Sequence, residues 1–267
     1  MTLSVGDTFA GYRIVAVLHV TPSDAVYLVA HPTAPAYEIL RVYSPSVEVD
    51  VYTDDRIYGE FRQEMSAAEY LLVDGLAAIH RVGRTDGRTW MTSAAAQGKP
   101  SRTVLAERGP LPIADVVRIA QTVAVTLDTL HRNSVIHRDI GTHCIYLDHR
   151  SNPPRTTLAG LDNPRRMPTP TPDVTAPEPP LIVHNPSPEH LADKVLTPAA
   201  DQFSLACTVF ELLTGTGPFS RAGSIPGMIV ATLQEQPGPL GHRRPDLSDQ
   251  VERIIHRAPP EFWSIPP

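Results

Sequence analysis

One change of hydrophobic rhythm divides this chain. Up to about Gly98 the apolar residues come in short β-branched and aromatic runs; beyond it they recur at spacings of three and four. Short runs broken by turn residues specify strands, and the longer period specifies helices, so a β-rich part precedes a helical one. Residues 12–18, 25–30 and 37–43 read as consecutive antiparallel strands, separated by Thr21-Pro22-Ser23-Asp24 and His31-Pro32-Thr33-Ala34-Pro35. Residues 54–72 place Ile57, Phe61, Met65, Ala68 and Leu72 on one helical face, and 77–82 and 89–92 flank Asp86-Gly87, a hairpin signal. Past Gly98, residues 112–132 carry an apolar stripe from Val116 to Leu130. Residues 199–214 are apolar nearly all round, the mark of a buried helix, and Gly215 supplies its stop.

Composition narrows the class. Apolar residues make up 42% and charged residues 19% of 267, too apolar for a disordered acidic chain. A net charge of −6 lacks the basic footprint of a nucleic-acid binder. No apolar run approaches the ~18–20 residues that span a bilayer, and the N-terminus does not resemble a signal peptide. A cytoplasmic domain with no membrane insertion is expected. Cys144 and Cys207 are too few for a disulfide framework or a cysteine-rich zinc site. Only two lysines occur, Lys99 and Lys194, so no mechanism can use a lysine elsewhere. Nine of the 28 prolines fall within residues 163–188, which therefore read as a long exposed loop without helix.

Strands with one helix, a joint, then helices around a short central motif suggest a particular family, and three motifs make it specific. Val135-Ile136-His137-Arg138-Asp139 resembles the catalytic loop of the protein kinases. Asp201-Gln202-Phe203-Ser204-Leu205-Ala206, running on to Gly215 and Pro218-Phe219, resembles their buried helix F. Asn185-Pro186-Ser187-Pro188-Glu189 resembles the Ala-Pro-Glu end of their activation segment. The resemblance is to the bacterial eukaryotic-like (Hanks-type) Ser/Thr kinases. It implies a two-lobed α+β fold: a small antiparallel β lobe with helix C over residues 1–93, a hinge at 94–99, and a larger helical lobe over 100–267, with an activation-segment-like loop at 163–188. The last helix of that larger lobe is expected to be missing or truncated after Arg257.

Against that family the chemistry looks degenerate. Phosphoryl transfer relies on a glycine-rich cover for the phosphates, a strand lysine held by a helix-C glutamate, and metal ligands, besides the catalytic aspartate. The three glycines fall on His19, Thr21 and Asp24, and the lysine falls on Arg41. Glu64 matches the helix-C glutamate and is the expected partner of Arg41. The metal-binding asparagine is Cys144, a poor ligand for hard Mg²⁺, and the substrate-facing lysine is Gly141. Asp162 is a metal ligand only if the Asp-Phe-Gly register slips by two residues. His143 beside Cys144 hints at a metal site but lacks partners, and none is expected. Ile39 and Tyr146 crowd the adenine slot.

The resemblance assigns scaffold roles to what remains. His137 and Arg138 match structural anchors, Asp201 matches the aspartate that holds the catalytic-loop backbone, and Glu189 matches a residue paired to an arginine late in the chain. Asp139 is the one retained catalytic residue and is expected to be without function. The expectation is a pseudokinase, a binding, scaffolding or regulatory module in Ser/Thr kinase signalling that takes ATP and Mg²⁺ weakly or not at all. A divergent active kinase with Asp139 as base and Asp162 as metal ligand, or a kinase-fold enzyme transferring another group, are the alternatives. Thr169, Thr171 and Thr175 lie where related kinases carry phosphosites. They suggest two protein partners, an active Ser/Thr kinase and a phosphothreonine-reading FHA-type module.

Overall fold

A computed structural model describes residues 2–21, 24–43, 51–69, 71–161, 184–192, 194–220, 224–247 and 251, with the side chains of a few residues inside helices, Glu64 among them, left undescribed. Two compact units are present. The first takes in the described residues up to Ala96 together with Leu161; the second takes in Gln97–Gly160 and the described residues from His184 onward.

The first unit is built on a six-stranded antiparallel sheet: β1 (Thr8–Phe9), β2 (Tyr12–Val20), β3 (Asp24–Ala30), β4 (Tyr37–Tyr43), β5 (Ile79–Thr85) and β6 (Arg88–Ala94). Their order is β1-β2-β3-β4-β6-β5. The strands alternate, so one face gathers Tyr12, Ile14, Tyr27, Val29, Leu40, Val42 and Trp90 into a buried cluster that Phe9 of β1 completes. Helix α1 (Val51–Glu69) buries Phe61, Met65 and Ala68, and the Phe61 ring meets Tyr43 edge-on at 5.4 Å. The helix stops before Leu72, which is 92% exposed rather than part of the apolar face. The Leu71 N–H turns back to the Ala68 carbonyl and ends the regular ladder. Asp86 and Gly87 both take positive φ, as a two-residue hairpin requires, and Thr85 pairs with Arg88 across the turn.

The second unit holds a three-stranded sheet of β7 (Lys99–Pro100), β8 (Ile145–Asp148) and β9 (Arg155–Leu158) beside the helices. These are α2 (Ser101–Arg108), α3 (Ile113–Arg132), α4 (Pro188–Leu191), α5 (Pro198–Thr214) and α6 (Ile225–Gln234). Helix α5 buries Phe203, Cys207, Phe210, Leu212 and Leu213, and packs against α3. Gly215 then adopts the left-handed conformation, and its N–H closes on the Glu211 carbonyl at 2.7 Å. Among the described residues no helix is long and apolar enough to cross a membrane.

One expectation needs correction. Residues 163–188 read as an exposed, helix-free loop, yet Ser187 is 1% exposed and Pro188 opens α4. Ser187 caps that helix by accepting the His190 N–H at 3.3 Å. Proline is excluded from helix interiors but suits the first turn, where its missing N–H has no partner to lose. Residues 162–183, with Asp162, Thr169, Thr171 and Thr175, lie outside the described residues, as does the chain around Arg257.

Gly98 provides a test of the second unit's packing. It sits at φ +90°, and a β-carbon there would stand 2.2 Å from the Leu147 carbonyl oxygen of β8. Backbone cannot yield as a flexible side chain does, so Gly98→Ala should cost at least about 2 kcal/mol of unfolding free energy, against the usual few tenths for an exposed site. Urea titration measures it, and a wild-type midpoint would contradict the packing.

Candidate functional site

The site grows from the first turn of α5. Asp201 is fully buried. Its Oδ2 accepts the His137 N–H at 2.8 Å and lies 2.8 Å from His131 Nε2; its Oδ1 accepts the Arg138 N–H at 2.7 Å. Burial raises the Asp201 pKa, but His131, the charge of His137 and the two amide donors outweigh it and hold the group below its ordinary value. These bonds secure a strained turn. Arg138 has φ +72°, a left-handed conformation that costs a non-glycine residue on the order of 1–2 kcal/mol. His137, 1% exposed, reaches across to the Ala159 carbonyl at 3.0 Å, just past β9.

Fixing 137 and 138 aims Asp139 outward. Its Oδ2 stands 3.2 Å from His143 Nε2, and its Oδ1 accepts the backbone N–H of His184 at 3.1 Å. Burial raises the Asp139 pKa, yet the His143 hydrogen bond and the charges of His143, His184 and His137 prevail and keep it below the ordinary value. Asp139 is thus an ionised carboxylate and a weak base. The His143 and His184 rings stack, with centroids 4.0 Å apart and planes 29° from parallel. Burial, reinforced by His143 and opposed by Asp139, holds the His184 imidazole below its ordinary pKa.

Gly141 and Cys144 complete this loop. A β-carbon at Gly141 would lie 2.7 Å from His143 Nδ1 and 2.9 Å from His184 Cβ, so the two histidines occupy the room a longer residue would take. The Cys144 thiol is 3% exposed and folds back on its own loop, 3.2 Å from the Gly141 carbonyl and 3.3 Å from the Gly141 amide. His184 is positioned from α5 as well. Its neighbour Asn185 donates to Thr208 Oγ1 at 3.2 Å, and the Asn185 carbonyl accepts from Ser204 Oγ at 2.8 Å.

In the first unit, Arg41 on β4 meets Asp24 at the start of β3, Nη1 to Oδ2, at 3.1 Å. Val26 is the direct cross-strand partner of Arg41, so Asp24 is its diagonal neighbour on the same face. The Asp24 carboxylate is nearly buried and accepts the Thr21 hydroxyl, while the Thr21 N–H donates to the Asp24 carbonyl at 2.8 Å. Thr21 and Asp24 therefore close on one another, with the acid aimed at Arg41. On the opposite face Glu38 is 4% exposed, with His80 Nδ1 at 2.9 Å and His31 Nε2 at 3.7 Å.

The structure thus bonds His137 and Arg138 to Asp201, while Asp139, next in the chain, bonds to His143 and His184. Arg41 has Asp24 beside it, where sequence reasoning offered it Glu64; Glu64 lies on α1, its side chain outside the described residues. Glu189 lies in the first turn of α4, half-buried. Sequence reasoning gave His143 no companions, and the structure supplies two, Asp139 and His184. Histidine at 143 together with glycine at 141 was the signal available for that cluster.

Comparison with known proteins locates this arrangement. The protein kinase domain family matches residues 46–257. The serine/threonine-protein kinase PknF of Mycobacterium tuberculosis is 31% identical over 258 residues, 93% of this chain and 52% of that protein. PknI of the same organism is 30% identical over 260 residues, 97% of this chain and 40% of that protein. The crystal structure of the M. tuberculosis PknI kinase domain aligns with a TM-score of 0.72 at 29% identity, covering 96% of this chain and 90% of that one. The chain spans about half the length, or less, of these curated relatives.

Asp201 and Asp139 separate scaffold from surface. Asp201→Ala orphans buried amides and should reduce unfolding free energy by on the order of 1–3 kcal/mol, more than Asp139→Ala does. Because the folded pKa of Asp201 is lowered, its contribution is complete above the unfolded carboxylate value of ~4 and is lost as the pH falls through the folded one. Urea unfolding at neutral and acidic pH measures both effects. Equal losses in the two variants, or an Asp201 penalty that grows on acidification, would contradict this assignment.

Proposed function

The chain belongs to the protein kinase family, and from that premise we propose that it is a pseudokinase, a module that binds and organises protein partners in Ser/Thr kinase signalling without transferring phosphate. The observation that carries this reading is the Asp24–Arg41 pair. A kinase keeps a lysine ammonium at this strand position for the nucleotide phosphates. Here the cation is a guanidinium, and a carboxylate locked in place by Thr21 already faces it. That fixed negative charge opposes a polyphosphate at the point where one has to be held.

Other replacements support the same conclusion. Without glycine at 19, 21 and 24 the hairpin tip lacks residues whose backbone can closely approach a phosphate. At 144 a thiol bonded to its own loop stands in place of an amide oxygen, and hard Mg²⁺ prefers oxygen. Arginine is a poor stand-in for lysine here, because its planar fork suits a carboxylate, and Asp24 presents one to it. One observation favours a divergent active kinase instead: Asp139 is ionised, as a general base requires.

For partners we propose an active Ser/Thr kinase acting on Thr169, Thr171 or Thr175, and an FHA-type module that reads the product. Prolines flank Thr169 and Thr171 and favour an extended conformer suited to presentation. Each phosphate adds about −1.5 to −2 charges and three acceptor oxygens that an arginine cluster can grip. We place the module in the cytoplasm, where such partners act.

One experiment addresses both halves. The protein is incubated with radiolabelled ATP and Mg²⁺ or Mn²⁺, alone and with an active bacterial Ser/Thr kinase, and sites are mapped by mass spectrometry. Alone it should incorporate nothing, and Asp139→Asn should change nothing. With the active kinase, phosphate should appear at Thr169, Thr171 or Thr175. Transfer by the protein alone that Asp139→Asn abolishes would establish the divergent kinase, and phosphate found only outside residues 163–188 would remove the partner proposal.

A further inference from the structure

The proposed partner role makes no use of Asp139, His143 and His184, yet they form a defined constellation. Each presents one ligand atom, and the three atoms lie within 4.8 Å of one another. We propose that they form a binding site for a single divalent transition-metal ion, with Zn²⁺ as its preferred occupant.

The distances fit. His143 Nε2 and Asp139 Oδ2 are 3.2 Å apart. Ligand bonds of about 2.0–2.1 Å in a tetrahedral zinc site put neighbouring donors about 3.3 Å apart, the edge length of that tetrahedron. The 3.2 Å contact is long for a charge-assisted hydrogen bond, for which ~2.7–2.9 Å is usual, but close to that edge. An ion between these atoms would exchange one slack hydrogen bond for two coordination bonds with little movement. His184 brings the third donor within 4.8 Å, and its ring, stacked on His143 with centroids 4.0 Å apart, has to turn for its lone pair to converge on the same ion.

The surroundings hold the donors in place. Asp139 is pinned on its other oxygen by the His184 amide, and its backbone follows directly from the turn anchored on Asp201. His184 is tied to α5 through Asn185. Gly141 supplies the space in which both imidazoles sit, and its replacement by any larger residue would push them apart. His143 Nδ1 is buried with no hydrogen-bond partner among the described residues, so Asp139 is the sole polar contact of that ring there. Two imidazoles and one carboxylate suit zinc and its transition-metal neighbours, and they are a poor set for Mg²⁺ or Ca²⁺, which take oxygen. Three protein ligands leave a fourth position for water or a partner's side chain.

This is a different site from the kinase metal position, which the resemblance assigns to residues 144 and 162, and it stands whether or not the protein transfers phosphate. Occupied, it would clamp the loop 139–144 to the segment that leads into α4 and engage the Asp139 carboxylate.

The test uses the chelator-treated protein, titrated with Zn²⁺ against a chromophoric chelator and separately with Co²⁺. One equivalent of Zn²⁺ should bind in the micromolar range or tighter, millimolar Mg²⁺ should not compete, and Co²⁺ should give the intense visible bands of four-coordinate cobalt. His143→Gln and His184→Gln should each weaken Zn²⁺ by at least about tenfold, no less than the loss of a supporting group costs at known sites. The control His149→Gln, on an exposed residue, should bind as wild type. Should either site variant melt differently without metal, Zn²⁺ protection of His143 and His184 from diethyl pyrocarbonate in the wild type gives the answer independently. Equal Zn²⁺ affinity in wild type and double variant, competition by Mg²⁺, absence of micromolar binding, or unprotected histidines would each overturn the site.

Discussion

The second unit depends on one buried carboxylate. Asp201 sits in the first turn of a helix that is apolar nearly all round, where an ionised group survives only with several donors. It has three: two successive backbone amides and His131. They hold Arg138 in a left-handed turn, and that turn decides where Asp139 points. From there the dependence runs outward. His137 bonds the Ala159 carbonyl and the Ala159 amide bonds the Cys144 carbonyl, so the end of β9 and the loop 137–144 share one network.

On the proposed reading, that network is how the catalytic-loop motif persists without the chemistry around it. His137, Arg138 and Asp201 contribute to folding and need no nucleotide. Positions whose use is confined to phosphate or metal are free to change, and these are the ones that differ. Where the family pattern has hairpin-tip glycines, an acid faces Arg41; where it has a lysine past Asp139, a glycine is overlain by two imidazoles; where it has a metal-binding amide, a thiol bonds to its own loop. Each of these residues has a local contact of its own in the structure.

Much of this was legible in residues alone. The change of period near Gly98 marked the β-rich and helical parts, and the apolar run of residues 199–214 marked the buried helix. The resemblance of three motifs to the kinase pattern singled out Asp201 and Asp139. The illegible parts are those that depend on register or on distant segments. Asp24 meets Arg41 only because β3 and β4 pair with Val26 opposite Arg41, which a residue list does not specify. His184 reaches Asp139 across 45 residues, through contacts with α5 that no local pattern announces. The end of α1 depended on a single turned-back hydrogen bond, beyond the reach of periodicity. Pro188 was read as a helix breaker, when its position after the capping Ser187 made it a helix start.

The central claim is that the nucleotide machinery has been replaced, the position of the phosphate-holding cation being already engaged by Asp24. Calorimetric titration of the protein with ATP and Mg²⁺, paired with a thermal-shift series, tests it most directly. A ligand at 100 times its dissociation constant stabilises a fold by ~2.7 kcal/mol, so even modest affinity would be visible. The account predicts no saturable heat below the millimolar range and no magnesium-dependent rise in melting temperature. A clear shift at submillimolar ATP that disappears when Mg²⁺ is withdrawn would contradict it.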